Sequence, residues 1–187
     1  GERTLFEGLS FELRAGQALA VEGANGVGKT SLLRMLAGFL APRAGRIALC
    51  RDGATIADGE ERGRFVGWLG HHDALKGSFT VTEQLRFYAR LYGSHADLSD
   101  LLEQAGLARQ AELPCRYLSA GQRRRLALAR LMASGRPLWL LDEPFAALDS
   151  AGKALVARLM AIHCGSGGLV LAATHESLGL SSQSLRL

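Results

Sequence analysis

Residues 23–30 read Gly23-Ala24-Asn25-Gly26-Val27-Gly28-Lys29-Thr30, and Ser31 follows directly. The spacing is that of G-x-x-x-x-G-K-[ST], a loop whose backbone wraps phosphate groups. Residues 18–21 before it have the apolar composition of a short buried strand, and residues 32–37 after it that of a helix. Glycines let the backbone turn tightly enough to aim successive N–H groups at phosphate oxygens, and the helix adds the positive end of its dipole. The stretch therefore predicts a nucleotide site built on a strand, a loop and a helix.

The composition is that of a globular protein. The 187 residues suit one domain, with 48% hydrophobic and 21% charged residues. No apolar run approaches the roughly 18 residues that a membrane helix needs, and no charged and then apolar leader indicates export. The three cysteines are far apart and form no C-x-x-C pair. We therefore expect a reducing compartment, without a zinc site or a disulfide framework.

The net charge of +4 is mild, and its densest cluster is Arg123-Arg124-Arg125 on a predicted helix. Such a cluster can bind nucleic acid, but no aromatic residue is interleaved with these arginines to stack on bases. We expect a solvated helix face, or a surface that meets a protein partner. Nucleic acid is not expected as a partner.

Strand signals dominate before residue 70, and helical signals dominate from about residue 80 to residue 111. The early segments are an edge strand at residues 1–13, a hairpin of 46–50 and 55–56 around Asp52-Gly53, an exposed charged segment at 59–64, and a core strand at 65–69. Thr80 and Glu83 have the spacing of a capping box that opens a helix. Asp97 is expected to cap a second helix, which stops at Gly106. Residues 73–134 are therefore predicted to be a helical insertion, and residues 1–72 and 135–187 to form an α/β core within a single domain.

Apolar runs at residues 138–141 and 169–173, separated by a helix at 150–163, predict strands that are buried on both faces. Such strands belong to a parallel sheet flanked by helices. Ligands of these sheets bind at the carboxyl ends of the strands. The phosphate loop, Asp142-Glu143 and Thr174-His175 all follow predicted strands. We therefore expect them at one edge of the sheet.

The acidic pair suggests hydrolysis. Asp142 stands where the usual partner of a phosphate loop holds Mg²⁺, and Thr30 is expected to help hold the same ion. Lys29 is expected to neutralise the β- and γ-phosphates. Glu143 is placed to polarise an attacking water, which a hydrolase needs, whereas a phosphotransferase needs a hydroxyl acceptor site. An acidic turn that merely ends a strand is the alternative for either carboxylate alone.

A second helix start with anion-binding character is Leu118-Ser119-Ala120-Gly121-Gln122. It resembles the LSGGQ signature of ATP-binding cassette (ABC) ATPases, with Ala120 at the first glycine. From there the resemblance covers nearly the whole chain. The segments that resemble the family's other motifs are 23–30 (Walker A), 138–143 (Walker B), Ala147-Leu148-Asp149 (the D-loop) and His175 (the switch histidine).

The resemblance implies a P-loop NTPase fold of the RecA-like type, with an N-terminal antiparallel β part and a helical subdomain. It also implies ATP and Mg²⁺ as cofactors, with Glu143 and His175 as the catalytic residues. Two copies would pair head to tail in an ATP-dependent homodimer. Each ATP would then lie between two sets of residues: Gly23, Ala24, Asn25, Gly26, Val27, Gly28, Lys29, Thr30 and Ser31 of one copy, and Ser119, Gly121, Gln122 and Asp149 of the other.

The chain departs from the family at one position. Counting back from Thr80-Val81 puts His71 where the family has the Q-loop glutamine that contacts Mg²⁺. An imidazole can donate a hydrogen bond or bind a metal, but it does not duplicate an amide. His71 is thus a candidate Mg²⁺ ligand by position only.

Several stretches are similar to the haem-exporter ATPases of bacterial cytochrome c maturation, a subfamily of the ABC ATPases. They are Arg3-Thr4-Leu5-Phe6, Leu69-Gly70-His71-His72, and the segments 82–93 and 118–125. This resemblance implies a peripheral subunit at the cytoplasmic face of the bacterial inner membrane, which contacts the membrane only through integral membrane permease subunits. Its ATP-driven dimer closure would energise the transport or release of haem. The alternatives are an exporter of another substrate, a soluble cassette that acts on ribosomes or DNA, and a regulatory module without turnover.

Overall fold

Five parallel strands form the central sheet of this computed structural model, which describes residues 4–187. The strands are β1 (Ala18–Glu22), β4 (Val66–Leu69), β5 (Leu138–Asp142), β6 (Leu169–Ala173) and β7 (Gln183–Arg186). Their order across the sheet is β4-β5-β6-β1-β7. A separate antiparallel hairpin consists of β2 (Leu49–Arg51) and β3 (Ala54–Ile56). The predicted class, a parallel sheet with helices and a small antiparallel part, is confirmed.

Six α-helices lie among residues 4–187, besides two short 3₁₀ helices. They are α1 (Lys29–Leu36), α2 (Gly59–Gly63), α3 (Val81–Leu91), α4 (Leu98–Gln104), α5 (Ala120–Ser134) and α6 (Ser150–Gly165). Successive side chains of a strand point to opposite faces of a sheet. Accordingly Ala20, Leu141 and Ala172 pack in one apolar cluster with α5 and α6. Their neighbours Val21 and Leu140 pack in another cluster with α1. Burial on both faces explains why these strands are continuous apolar runs.

Three of the strands end at the same level. Val21 of β1 and Asp142 of β5 are both paired with Ala173 of β6. The chain segments that leave these three strands therefore start side by side. They are the phosphate loop after β1, Glu143 after β5, and Thr174-His175 after β6.

Helices α3, α4 and α5 bury a third apolar cluster of their own. Its members include Leu85 of α3, Leu101 of α4 and Leu126 of α5, and each is at most 6% exposed. Thr80 and Glu83 form the predicted capping box of α3, and Asp97 caps α4 as predicted. The limits of the helical insertion, residues 73 and 134, stay a prediction.

The predicted edge strand at the start of the chain is wrong over the described residues. Residues 4–13 form no strand, and residues 1–3 of that prediction lie outside the described part. Leu9, Phe11 and Leu13 alternate because they pack against the cluster around α1, as Phe6 does too, whereas Leu5 of the predicted alternation is exposed. Conversely, β7 was not predicted, since its residues are mostly polar and exposed.

The charged segment at 59–64 is exposed at Glu60, Glu61 and Arg64, as predicted, but not at Arg62. It contains α2, which Asp58 caps, and its Arg62 is only 4% exposed. The Arg62 guanidinium donates to the carbonyl oxygens of Ile47, Ala57 and Met35. The Arg62 guanidinium thus joins α2 to α1 and to the two ends of the hairpin by hydrogen bonds. The predicted turn Asp52-Gly53 is confirmed between β2 and β3, with φ of 51° and 79°.

No helix among residues 4–187 combines the length and the apolar character that a membrane crossing requires.

The end of α1 offers a test of the fold with a matched control. Gly38 and Gly45 share a φ of +84°, but a Cβ on Gly38 would lie 2.1 Å from the Gly59 carbonyl oxygen, whereas one on Gly45 would meet nothing within 4 Å. We expect Gly45→Ala to lower the free energy of unfolding by about 1 kcal/mol, the strain of a left-handed residue. Gly38→Ala should cost about 1–3 kcal/mol more, because the backbone must move. Urea unfolding measures both, and equal losses would contradict the close packing of Gly38 on α2.

Candidate active site

The loop between β1 and α1 has the backbone that its glycines predict. Gly23, Gly26 and Gly28 have φ of 147°, 80° and 119°, which residues with a side chain rarely adopt. Gly28 is the N-cap of α1, so no side chain caps the helix, and its first turn contains no acidic residue. The first N–H groups of a helix have no partner within the helix. This helix start is therefore suited to an anion.

Lys29 lies at that helix start and is only 8% exposed. Its side chain folds back over the loop, so that Nζ donates to the carbonyl oxygens of Gly23 at 2.7 Å and Ala24 at 3.3 Å. The same atom is 3.1 Å from Nε2 of His175. The ammonium group is thus fixed above the loop, where it can meet negative charge.

Thr30 and Asp142 connect α1 with the end of β5. The Thr30 hydroxyl donates to Oδ2 of Asp142 at 2.9 Å, and Asp142 is 4% exposed. A hydroxyl and a carboxylate are hard oxygen ligands of the kind that Mg²⁺ takes in nucleotide sites. Among residues 4–187 no group of three or more His, Cys, Asp or Glu side chains is placed to hold a metal ion. The pair therefore fits a Mg²⁺ that takes its other ligands from phosphate and water.

Glu143, His175 and Asn25 meet beside Lys29. Nε2 of His175 lies 2.9 Å from Oδ1 of Asn25 and 3.6 Å from Oε1 of Glu143. His175 is exposed, and the Glu143 side chain is 26% exposed. A carboxylate that is partly open to solvent can bind a water and accept its proton. The three strand-end segments of the prediction are thus brought together, with Asn25 of the phosphate loop in contact with His175.

Glu143 has a left-handed backbone, with φ of 49°. Such a conformation costs a residue with a side chain about 1–3 kcal/mol of free energy. Its N–H donates to the Ala173 carbonyl oxygen at 2.9 Å, which anchors the turn to the end of β6.

Arg124 supports the same turn from the other side, and the prediction of a solvated helix face is wrong for this residue. It is 3% exposed, and it donates to the backbone carbonyl oxygens of Asp142, Glu143 and Pro144. It also donates to the Gly70 carbonyl oxygen and to the carboxylate of Asp73. Burial lowers the pKa of Arg124, while the hydrogen bond and the charge of Asp73 oppose that shift.

The signature segment lies apart from the phosphate loop. Ser119 and Gln122 cap α5 reciprocally: Oγ of Ser119 accepts from the Gln122 N–H at 3.2 Å, and Oε1 of Gln122 accepts from the Ser119 N–H at 2.8 Å. A Cβ on Gly121 would lie 3.3 Å from the Ala147 carbonyl oxygen, so this segment rests against residues 147–149. Asp149 caps α6 by accepting from the Gly152 N–H at 2.7 Å.

These residues line a pocket of about 350 Å³ that includes none of residues 23–31. No hydrogen bond within the described residues joins Ser119, Gly121 or Gln122 to the phosphate loop. His71 is likewise not brought to Thr30 and Asp142. It is exposed in the loop after β4 and has no side-chain hydrogen bond to any residue from 4 to 187. The predicted site residues therefore fall into two groups on one chain.

Comparisons with known proteins agree with this geometry. The sequence profile of the ABC transporter family matches residues 6–146. A "Cytochrome c biogenesis ATP-binding export protein CcmA" from Rhodopseudomonas palustris (strain BisB5) is 50% identical over 188 residues, which cover 100% of this chain and 92% of the relative. The protein of the same name from Bradyrhizobium diazoefficiens is 49% identical, with the same coverage.

Solved structures share the fold. An ABC transporter ATP-binding protein from Pyrococcus furiosus superposes with a TM-score of 0.81 at 24% identity, covering 93% of this chain and 86% of that one. The protein cbiO1 of Clostridium perfringens, described as part of the ABC transporter complex cbiONQ, gives 0.76 at 26% identity, covering 92% and 72%. A dimeric ATP-binding cassette with ADP and Pi bound gives 0.76 at 23% identity, covering 92% and 80%.

Proposed function

Because this chain belongs to the ABC transporter family of ATP-binding proteins, we propose that it is the ATP-hydrolysing subunit of a bacterial export complex for cytochrome c biogenesis. The observation that carries the proposal is the identity of about half of all residues, over the whole chain, with export proteins of that name. The exported or released cargo is haem. ATP is the substrate whose hydrolysis drives the step.

The phosphates of ATP bind at the start of α1. The N–H groups of residues 23–31 donate to the phosphate oxygens, and Lys29 offsets the charge of the β- and γ-phosphates. Support comes from the uncapped helix start and from the position of the Lys29 ammonium above the loop. Mg²⁺, held by Thr30 and Asp142 together with the phosphates, supplies further charge neutralisation.

Glu143 is the general base. It accepts a proton from the water that attacks the γ-phosphorus, and the left-handed turn aims its carboxylate out of the end of β5. His175 orients the γ-phosphate. Its position between Asn25, Lys29 and Glu143 suits it to this role. The contribution of each residue is one of position and charge, because phosphoryl transfer depends mainly on these.

A second copy completes the site. Ser119, Gly121, Gln122 and Asp149 contact the ATP that the partner copy holds, and two such sites form in a head-to-tail dimer. Support comes from the signature pocket, which no residue of the phosphate loop on the same chain lines. The start of α5 is a second place suited to phosphate. The dimer closes on ATP and opens after hydrolysis.

The partners in the membrane are integral permease subunits. The chain lies against them at the cytoplasmic face of the inner membrane and has no direct contact with lipid. His71 lies in the exposed loop after β4, in the place of a glutamine, and its imidazole would be a further candidate to hold Mg²⁺.

Replacing Lys29 tests nucleotide binding. Lys29→Ala should weaken ATP binding by roughly 10- to 100-fold, because hydrogen bonds to charged groups are worth about 1.5–3 kcal/mol. Equilibrium titration with a fluorescent ATP analogue measures the affinity. Lys76→Ala is the control, since the Lys76 ammonium lies over the ring of Phe79 and outside the site. An unchanged affinity in Lys29→Ala would remove the phosphate loop as the ATP site.

Replacing Glu143 separates binding from hydrolysis. Glu143→Gln keeps the shape of the side chain but cannot accept the proton, so kcat should fall by at least about 100-fold. ATP affinity should stay within about 3-fold, and ATP should stabilise a dimer that gel filtration resolves. Turnover at the wild-type rate would show that Glu143 is not the base.

Purification tests the biological assignment. Tagged full-length protein, extracted from bacterial membranes in mild detergent, should bring down integral membrane subunits, and ATP hydrolysis by that complex should respond to haem. A strain without the protein should accumulate apocytochrome c, and the Lys29→Ala gene should not restore the holo form. Recovery with ribosomes or DNA, or normal cytochrome c in the deletion strain, would overturn the assignment.

A further inference from the structure

We propose that Arg124 is a positioning residue for ATP hydrolysis, which holds the backbone of Glu143 and ties it to the loop after β4. The proposal rests on the role of Glu143 given above. It assigns a mechanical role to a residue of α5 that has no contact with the phosphate loop.

The Arg124 guanidinium forms as many hydrogen bonds as it has N–H groups. Arginine has five N–H donors in a planar fork, and Arg124 has five acceptors. On one side Nη2 donates to the carbonyl oxygens of Asp142 and Glu143, and Nε donates to that of Pro144. On the other side Nη1 donates to the Gly70 carbonyl oxygen at 2.8 Å and to Oδ1 of Asp73 at 3.2 Å.

The turn needs a cation at this place. Three successive carbonyl groups, those of residues 142–144, converge on one point, and their dipoles would repel one another without a positive partner. Glu143 between them has the left-handed backbone that aims its side chain. Among the described residues, no other side chain donates to these three carbonyl groups. Arg124 is thus the one side chain among residues 4–187 that holds the backbone around Glu143, beside the backbone bonds from Glu143 to Ala173 and from Ala146 to Glu143.

The loop on the other side is the one that carries His71 and His72, both exposed. A second buried arginine of α5, Arg130, holds the same loop through the carbonyl oxygens of Asp73 and Ala74, but has no hydrogen bond to residues 142–144. Only Arg124 therefore bridges the loop and the turn within residues 4–187. A displacement of the loop by a partner reaches Glu143 through one rigid, planar group.

The comparison of these two arginines makes the test specific. ATP hydrolysis and ATP affinity are measured on the full-length protein, purified with its membrane subunits, for wild type, Arg124→Gln, Arg124→Lys, Arg130→Gln and Glu143→Gln. Thermal unfolding midpoints are measured alongside. Both arginines are buried on one helix, so the loss of a buried guanidinium is matched, and they differ in that Arg124 alone pairs with the Asp73 carboxylate.

We expect kcat of Arg124→Gln to fall by about 10- to 100-fold, because small misplacements of a catalytic group have effects of that size. Its ATP affinity should stay within about 3-fold, since no phosphate-loop residue is touched. Arg124→Lys should restore part of the rate, because an ammonium keeps the charge but cannot reach both sides of the bridge. Arg130→Gln should keep kcat within about 3-fold of wild type, although its unfolding midpoint falls.

Each of the following outcomes would overturn the proposal. If Arg124→Gln turns over normally while Glu143→Gln is inactive, Arg124 does not position the base, and the proposed function stands. If Arg130→Gln loses as much kcat as Arg124→Gln, or if Arg124→Gln loses affinity and kcat together, the residue only stabilises the fold. If Glu143→Gln turns over normally, both the role of the base and that of Arg124 fall. Should Arg124→Gln not fold, a kcat of Arg124→Lys equal to wild type would overturn the proposal by itself.

Discussion

The level ends of β1, β5 and β6 are the constraint on which the rest of the site depends. Parallel pairing in one register sets Val21 and Asp142 beside the same residue, Ala173. Each strand then releases its chain at the same edge, and a shift of one pair by a single residue would turn Asp142 toward the opposite face of the sheet. The apolar runs that are buried on both faces hold this register, because a slip would leave large side chains out of place in two clusters at once.

Buried cations organise the surroundings of that edge. Lys29, Arg62 and Arg124 are each at most 8% exposed, and all three donate to backbone carbonyl oxygens. A charge removed from water is costly unless hydrogen bonds replace its hydration. The carbonyl groups at turns and helix ends supply those bonds, since they lack partners within regular structure. The polar backbone of the irregular segments and these buried cations thus stabilise each other, although Nε of Arg62 has no partner among the described residues.

Local chemistry explains which features the sequence predicted. The phosphate loop, the caps at Thr80 and Asp97, and the turn at Asp52-Gly53 each depend on residues within a few positions of one another. The burial of Arg124 depends on the packing of α5 against β5, and contacts between distant segments give a weaker signal in the sequence. That signal is the helical spacing of Arg124 with Ala127, Leu128 and Leu131. All three are buried, so Arg124 lies on the inner face of α5. Strand β7 has no such pattern, because one strand partner and a half-exposed edge do not require apolar residues.

The neighbours of His175 cannot all be satisfied at once. Its Nε2 atom carries either one lone pair or one proton. With the lone pair it can accept from the ammonium of Lys29, but it then faces the amide oxygen of Asn25 without a proton between them. With the proton it can donate to Asn25 or approach Glu143, but it loses Lys29. Nε2 of His175 can therefore form a hydrogen bond with Lys29 or with Asn25, but not with both at once. Any ligand that withdraws the Lys29 ammonium from Nε2 favours the tautomer in which Nε2 carries the proton and donates to Asn25.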